Sequence, residues 1–162
     1  MDVAIISDTH VPSRAARIPD AFRDRIAAAD HVIHAGDFDS EGAVADVRDL
    51  AQSLTAVAGN MDPHVGLPDV TPIELGGVEF VVTHGTGSKR GYEDRVANIV
   101  RNEGGADAVG VSGHTHEVMD AVHGGVRLLN PGSATGAAPA SRPTMMTATV
   151  ADGDCDVTLH EL

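Results

Sequence analysis

Short apolar runs alternate with amphipathic segments in the first part of the chain, and this order constrains the fold more than any other feature. Residues 2–6, 31–35 and 54–58 have the length and composition of buried strands. Between them, residues 19–29 and 41–52 carry apolar side chains at helical spacing. A strand–helix–strand–helix–strand order predicts a parallel sheet covered by helices.

The second part of the chain is dominated by hairpin signals. Dipeptides typical of two-residue turns occur at Gly76-Gly77, Gly124-Gly125 and Asp152-Gly153. The surrounding segments predict strands at 71–75, 78–83 and 107–112 and a helix at 92–103. Two mixed sheets packed together, with helices on their outer faces, accommodate both parts. Because no repeat or linker divides the sequence, we predict one domain over residues 1–162.

The composition is strongly acidic, which excludes several classes of function. Asp and Glu number 24 against 11 Lys and Arg, a formal net charge of −13, so we expect no basic surface for nucleic acid or for an anionic membrane. Only three Phe and one Tyr could stack on bases, so no stable nucleic-acid complex is expected. The single Cys155 excludes a disulfide framework and a cysteine-rich zinc module. No apolar run approaches the roughly 20 residues that cross a bilayer.

Aspartate and arginine dominate the charged residues, with 17 Asp, 7 Glu, 10 Arg and 1 Lys. Codon bias in an ordinary cytosolic protein explains this, and so does adaptation to a halophilic cytoplasm, where salt near 1 M shortens the Debye length to about 3 Å. We expect the halophilic explanation. Met1 leads directly into a predicted strand without a secretory signal, and a lone cysteine fits a reducing compartment, so the expected location is cytoplasmic.

Polar residues with metal-binding side chains follow five of the predicted strands. They occur in the motifs D-x-H, G-D, G-N, H-G and G-H-x-H, and the candidate ligands are Asp8, His10, Asp37, Asn60, His84, His114 and His116. Because sites in α/β sheets form outside the carboxyl ends of strands, we expect these seven side chains to converge at one edge.

Two carboxylates, one amide and four imidazoles form a mixed oxygen and nitrogen set. Such a set suits manganese, iron, zinc, cobalt or nickel and suits calcium poorly. Seven ligands are too many for one divalent ion and fit two ions with one bridging carboxylate. An extended backbone would place both side chains of D-x-H, and of H-x-H, on the same side. Four glycines are expected to let the backbone turn near the ions: Gly36, Gly59, Gly85 and Gly113.

This ordered set of motifs resembles the calcineurin-like metallophosphoesterase superfamily over about residues 1–160, and more narrowly its small prokaryotic YfcE-type phosphodiesterases. The resemblance implies a four-layer α/β/β/α sandwich with a dinuclear metal centre at one edge. It implies that one metal is held by Asp8, His10, Asp37 and His116. It implies that Asp37 bridges to a second metal, which is held by Asn60, His84 and His114.

The resemblance also implies a reaction, the hydrolysis of a phosphoric ester by a hydroxide that bridges two divalent ions, with manganese as the expected metal. We assign catalysis to Asp37, Asn60 and His84. Many phosphomonoesterases of the superfamily carry a histidine directly after Gly-Asn, where it can protonate the leaving group, but this chain has Met61. We therefore expect a phosphodiesterase acting on a small diester. The alternatives are a phosphomonoesterase and a non-catalytic interaction scaffold of the same fold.

Five further points concern neighbouring residues and assembly. Asp62 either replaces the missing acid or, as we favour, caps the turn. The segment Asn130-Pro131-Gly132-Ser133 is either a tight turn or a substrate contact. His34 is expected to lie buried or beside the ligands, and His31 is expected at the surface. A homo-oligomer is left open.

Overall fold

A computed structural model describes all 162 residues and contains three helices and ten strands. The elements in chain order are β1 (Asp2–Ile6), α1 (Asp20–Ala28), β2 (His31–His34), α2 (Glu41–Leu50), β3 (Leu54–Ala56), β4 (Val70–Leu75), β5 (Val78–Thr83), α3 (Tyr92–Glu103), β6 (Val109–Val111), β7 (Met119–His123), β8 (Val126–Asn130), β9 (Thr144–Ala151) and β10 (Asp154–Glu161). Every predicted helix and strand is present, with ends displaced by no more than a few residues.

The strands form two mixed sheets of five strands each. The first sheet has the order β10-β9-β1-β2-β3, in which β1, β2 and β3 are parallel and β9 runs antiparallel to β1. The second has the order β4-β5-β6-β8-β7, with β5, β6 and β8 parallel and with β4 and β7 antiparallel at the edges. The parallel strands of each sheet therefore end at one side, where their following loops can meet.

Strand β1 shows why the sheets stack face to face between helices. Its side chains alternate: Val3 and Ile5 pack into the core between the sheets, whereas Ala4 and Ile6 pack against α1 and α2. A strand buried on both faces reads as a continuous apolar run, as this one does. A third apolar cluster joins α3 to the outer face of the second sheet. The layers are thus helix, sheet, sheet and helix, which confirms the expected sandwich.

The ends of α1 and α2 follow simple rules. Pro19 precedes α1 directly, and Ser40 caps α2 by accepting a hydrogen bond from the Ala43 N–H at 3.0 Å. None of the three helices is both long and apolar enough to cross a membrane.

The surface expectation for His31 is wrong. Its side chain is 6% exposed, and its Nε2 atom lies 2.8 Å from Thr55 Oγ1 on the neighbouring strand. Strand β2 lies inside the first sheet, between β1 and β3, and all four of its residues are buried.

Candidate metal centre

The two sheets contribute to a single cluster at the carboxyl ends of their parallel strands. His116 Nε2 lies 3.2 Å from Asp8 Oδ1, and His84 Nε2 lies 3.2 Å from Asp37 Oδ2. Asp8 and Asp37 follow strands of the first sheet, whereas both histidines follow strands of the second. The structure brings together all seven predicted ligands.

The backbone reaches this arrangement in a conformation that differs from the predicted one. Five of the seven candidates have positive φ: Asp8 (52°), His10 (46°), Asp37 (60°), His114 (72°) and His116 (59°). The D-x-H and H-x-H segments are therefore left-handed at both outer positions, and the expectation of an extended backbone is wrong. Positive φ is uncommon for residues other than glycine, although Asp and His adopt it more often than most, and such conformations cluster at functional sites.

Close packing requires glycine at two of the expected positions, and at Gly36 the backbone angle requires it as well. Gly36 has φ of 97°, and a Cβ there would lie 2.8 Å from the Gly59 N atom. A Cβ on Gly113 would overlap the side chains of Ser7 and Asp8. The ligand-bearing loops therefore approach one another closely only because these positions lack side chains.

The first candidate metal position lies between two imidazoles and a carboxylate. His10 Nδ1 lies 2.9 Å from both carboxylate oxygens of Asp39, and His116 Nδ1 lies 2.8 Å from the Ala137 carbonyl oxygen. Each Nδ1 therefore donates a proton, which leaves Nε2 of each neutral ring with a lone pair. The two Nε2 atoms lie 3.2 Å apart and beside Asp8 Oδ1. Facing lone pairs repel, so this arrangement fits a cation between them.

The second candidate position also brings lone pairs close to one another. His84 Nδ1 donates to the Ala35 carbonyl oxygen at 2.7 Å, so its Nε2 atom carries the lone pair. That atom faces Asn60 Oδ1 at 3.0 Å and Asp37 Oδ2 at 3.2 Å, both of which are acceptors. With the His84 ring neutral, no proton lies among these three electron-rich atoms, one of which belongs to the Asp37 carboxylate, so a divalent ion fits between them.

His114 completes this second group from the exposed side. Its Nε2 atom lies 2.8 Å from the Gly87 carbonyl oxygen and donates to it, whereas its Nδ1 atom lies 3.0 Å from Asn60 Oδ1. His114 would therefore bind a metal through Nδ1 and His84 through Nε2. Asn60 Oδ1 lies within reach of both rings, which agrees with the expectation that these three residues serve one ion.

The pKa shifts of the site also favour cations at these positions. Burial on its own would lower the pKa of His84, but the hydrogen bond and charge of Asp37 raise it overall. The pKa of His116 is raised against burial in the same manner by Asp8. Burial would raise the pKa of Asp37, yet the hydrogen bond to His84 and nearby imidazolium charge lower it. The two buried carboxylates therefore favour positive charge at the positions where ions would lie.

Asp62 caps the site rather than serving it as an acid. Its Oδ1 atom accepts from the Phe38 and Asp39 N–H groups at 2.7 and 2.9 Å. Its Oδ2 atom accepts from the Asp37 and Gly59 N–H groups at 3.0 and 2.7 Å. One carboxylate thus joins the G-D loop to the G-N loop, and both of its oxygens are occupied. The favoured prediction, a turn cap, is confirmed.

The Asn-Pro-Gly-Ser segment supports the ligand loops from behind. Asn130 and Ser133 are fully buried, so neither can contact a substrate. Asn130 Nδ2 donates to the Gly113 carbonyl oxygen at 3.0 Å and to Thr115 Oγ1 at 3.1 Å, and Ser133 Oγ donates to the Asp8 carbonyl oxygen at 2.7 Å. Of the two interpretations, the substrate contact is wrong.

His34 is buried behind the cluster and does not join it. The Gly36 N–H donates to its Nδ1 atom at 3.1 Å, so Nε2 carries the proton and faces Thr9 Oγ1 at 3.1 Å. Burial lowers the pKa of His34 to about 3, which keeps the ring neutral. Its ring stacks on Phe38 with 3.6 Å between centroids. His34 therefore packs and orients the G-D loop.

Sequence reasoning missed two residues that hold ligands in place. Asp39 orients His10 through both oxygens and also accepts a hydrogen bond from Ser13. The hydroxyl of buried Tyr92 lies 2.6 Å from the Gly113 carbonyl oxygen, at the start of the H-x-H loop. Asp39 could have been noticed as a second acid two residues after Asp37, but no local pattern indicates the contact of Tyr92.

Comparison with known proteins agrees with this geometry. The model of the calcineurin-like phosphoesterase superfamily domain matches residues 1–153. A probable metallophosphoesterase of Methanothermobacter thermautotrophicus is 36% identical over 137 residues, which cover 83% of this chain and 78% of that protein.

Solved structures share the fold. Zinc-bound Vps29 of Entamoeba histolytica is 28% identical, with a TM-score of 0.76 over 99% of both chains. An archaeal phosphodiesterase, at 21% identity, has a TM-score of 0.72 over 99% of this chain and all of its own. The candidate ligands suit divalent ions, the relative is a probable metallophosphoesterase, and the solved structures share the sandwich fold. The chain belongs to the calcineurin-like phosphoesterase superfamily.

Proposed function

We propose that this chain hydrolyses small phosphodiesters at a dinuclear centre, with manganese as the metal. The observation that carries the diester preference is Met61, which directly follows Asn60 and has a half-exposed side chain. A thioether cannot donate a proton, and Asp62 beside it is fully engaged with backbone N–H groups. A leaving alcohol therefore departs without protonation from this loop.

The missing acid decides which substrates react well. General acid catalysis typically raises the rate of a reaction 10²–10⁴-fold. Without it, esters with strongly basic leaving groups lose the largest part of their hydrolysis rate. Diesters with acidic leaving alcohols, such as aryl phosphodiesters, lose least. Alkyl monoesters lose most, and a phosphomonoesterase is therefore the weaker candidate.

The chain's own residues would hold the ions and keep their charge available. Asp8, His10 and His116 would hold one ion, and Asn60, His84 and His114 the other, with Asp37 between them. When bound, two divalent ions would polarise the phosphate and supply a deprotonated water near neutral pH. Only two ligands are anionic, and Asn60 is neutral, so the centre keeps a net positive charge for a phosphate. The hydrogen bond from the Met61 N–H to Asp37 Oδ1 at 2.8 Å holds the bridging carboxylate in place.

The likeness to Vps29, a vacuolar sorting protein, favours a second candidate function, an interaction scaffold. A scaffold does not need a complete set of metal-binding side chains. Here all seven candidates converge, and the rings are oriented by dedicated partners such as Asp39 and Ala137. This completeness supports the enzyme over the scaffold.

The test measures hydrolysis of bis(p-nitrophenyl) phosphate and of p-nitrophenyl phosphate by manganese-loaded protein. We expect the diester to be the better substrate and expect Asp37→Asn and His116→Ala to abolish its turnover. Asp49→Asn and His64→Ala remove the same groups from exposed positions and should leave turnover unchanged. Faster monoester hydrolysis would contradict the proposed specificity. A folded protein that binds no divalent ion would contradict every catalytic version.

A further inference from the structure

One arginine lies at the rim of the candidate metal centre, on the loop that follows His10. The Arg14 N–H donates to the His10 carbonyl oxygen at 2.9 Å, so Arg14 stands one turn beyond a predicted ligand. Its Nη1 atom donates to the Ala138 carbonyl oxygen at 2.9 Å. The preceding residue, Ala137, accepts the hydrogen bond that orients His116. Arg14 is therefore held beside the His10–His116 end of the cluster.

The positive charge of Arg14 has no carboxylate partner. In contrast, ion pairs engage the guanidinium groups of Arg17, Arg23, Arg127 and Arg142. Arg14 uses one donor on a backbone carbonyl, and its side chain is exposed. A guanidinium has five N–H donors in a planar fork that matches the oxygens of a phosphate or carboxylate. An unpaired arginine beside a phosphoesterase site, in a chain of net charge −13, leaves those donors available to an anion.

A groove leads away from this end of the cluster. It has a volume of about 470 Å³ and is lined by His116, Pro139, Ser141 and Arg142, among others. Pro139 directly follows the residue that Arg14 contacts. Arg142 pairs with Glu161 at 3.1 Å, so its charge is largely neutralised. Two glutamates also line the groove, Glu117 and Glu161, and each is paired with a cation. Arg14 does not line the groove, but through Ala138 it is held next to it with its charge unpaired. The volume of the groove is that of a typical small-molecule pocket.

We propose that Arg14 is a specificity residue that binds a second anionic group on one ester arm of the substrate, next to His116. The substrate class is then a phosphodiester in which one arm carries a further phosphate or carboxylate. This inference rests on the proposed phosphodiesterase function. The metal centre would hold the scissile phosphate, and Arg14 would hold the other anion through charge-assisted hydrogen bonds.

A purely structural role for Arg14 makes a different prediction. The bond to Ala138 joins two loops, and its loss could disturb His116 through Ala137. In that case Arg14→Ala would weaken hydrolysis of all diesters equally and would lower metal content. The proposed role instead predicts a loss that depends on the charge of the arm.

Two matched probes separate these roles: thymidine 5′-(p-nitrophenyl phosphate) and the same compound with a 3′-phosphate. Both release p-nitrophenol, and they differ by one anionic group. We expect the manganese-loaded protein to prefer the 3′-phosphorylated probe in kcat/KM by about tenfold, the value of one exposed charge-assisted hydrogen bond. We expect Arg14→Ala to bring the ratio close to one, mainly through KM, and Arg14→Lys to keep part of it.

Arg48→Ala is the matched control, because it removes an exposed, unpaired arginine from the last turn of α2, and it should leave the preference intact. Equal loss on both probes, or no preference in the unaltered protein, would overturn the proposal. If neither probe is hydrolysed, the proposed function fails. Titration with thymidine 3′,5′-bisphosphate and thymidine 5′-phosphate then still tests Arg14: tighter binding of the bisphosphate that Arg14→Ala removes supports the role, and equal binding refutes it.

Discussion

Asp62 is the side chain whose loss should most disturb the candidate centre without removing a predicted ligand. Its two oxygens accept four backbone N–H groups at 2.7–3.0 Å, three from the G-D loop and one from Gly59. Replacement by Ala leaves those four donors without a partner. Replacement by Asn also leaves donors unpaired, because one carboxylate oxygen becomes an NH₂ group that faces two backbone N–H donors.

The magnitude follows from the number of bonds and from partial exposure. Hydrogen bonds to a charged group contribute about 1.5–3 kcal/mol each, and water replaces part of that at a half-buried side chain. We therefore expect Asp62→Ala and Asp62→Asn each to lower the free energy of unfolding by about 3–5 kcal/mol. At about 2–4 °C per kcal/mol for a chain of this size, the melting temperature should fall by about 10–15 °C.

The assay is urea denaturation followed by circular dichroism, with Asp69→Asn as the control. Asp69 is exposed on the same connection between β3 and β4, so the control removes the same charge without losing buried bonds. Its stability should stay within about 0.5 kcal/mol of the unaltered protein. A stability loss below 1 kcal/mol for Asp62→Asn would refute the reasoning, because it would mean that the two loops hold their positions without the carboxylate.

Three further predictions concern the phenol, the metal and the salt. Burial raises the pKa of Tyr92, the only tyrosine, to about 12, so the absorbance of the folded protein at 295 nm should titrate near pH 12. The free energy of unfolding should fall as the pH rises from about 10, where the unfolded phenol ionises, through 12. A folded-state midpoint near pH 10 would contradict this. Manganese at 100 times its dissociation constant should stabilise the fold by about 2.7 kcal/mol, an effect that calorimetry should find missing in Asp37→Asn. If the acidic surface reflects halophilic adaptation, the melting temperature should be higher in molar KCl than in dilute buffer, and an unchanged value would count against it.

The order of elements was predictable because each depends on local pattern. Apolar runs such as residues 2–6, and the turn at Gly76-Gly77, predict strands and a hairpin without knowledge of the rest of the chain. The convergence of the seven candidate ligands was predictable for a related reason. Each follows a strand, and parallel strands end at a shared edge, so chain position alone brings them together.

The supporting contacts were not predictable, because they join residues far apart in sequence. Tyr92 contacts Gly113 from a helix, and Asn130 contacts it from another strand. His31 illustrates the converse error. A polar side chain was expected at the surface, but the order of strands buries it between two neighbours. Local pattern fixes neither strand order nor the side chains that lie behind a loop.

The left-handed residues explain why backbone preference fails at this edge, although the motifs correctly predict that the candidate ligands converge there. Conformations with positive φ cost on the order of 1 kcal/mol or more for residues other than glycine, so five of them cost about 5 kcal/mol or more, a large share of a typical stability of 5–15 kcal/mol. The apolar core between the sheets must offset that cost. Asp8 and Asp37 add buried charge, which cations at the candidate positions would compensate. We therefore expect metal binding to stabilise this edge, which is the part of the fold that backbone preference and buried charge disfavour.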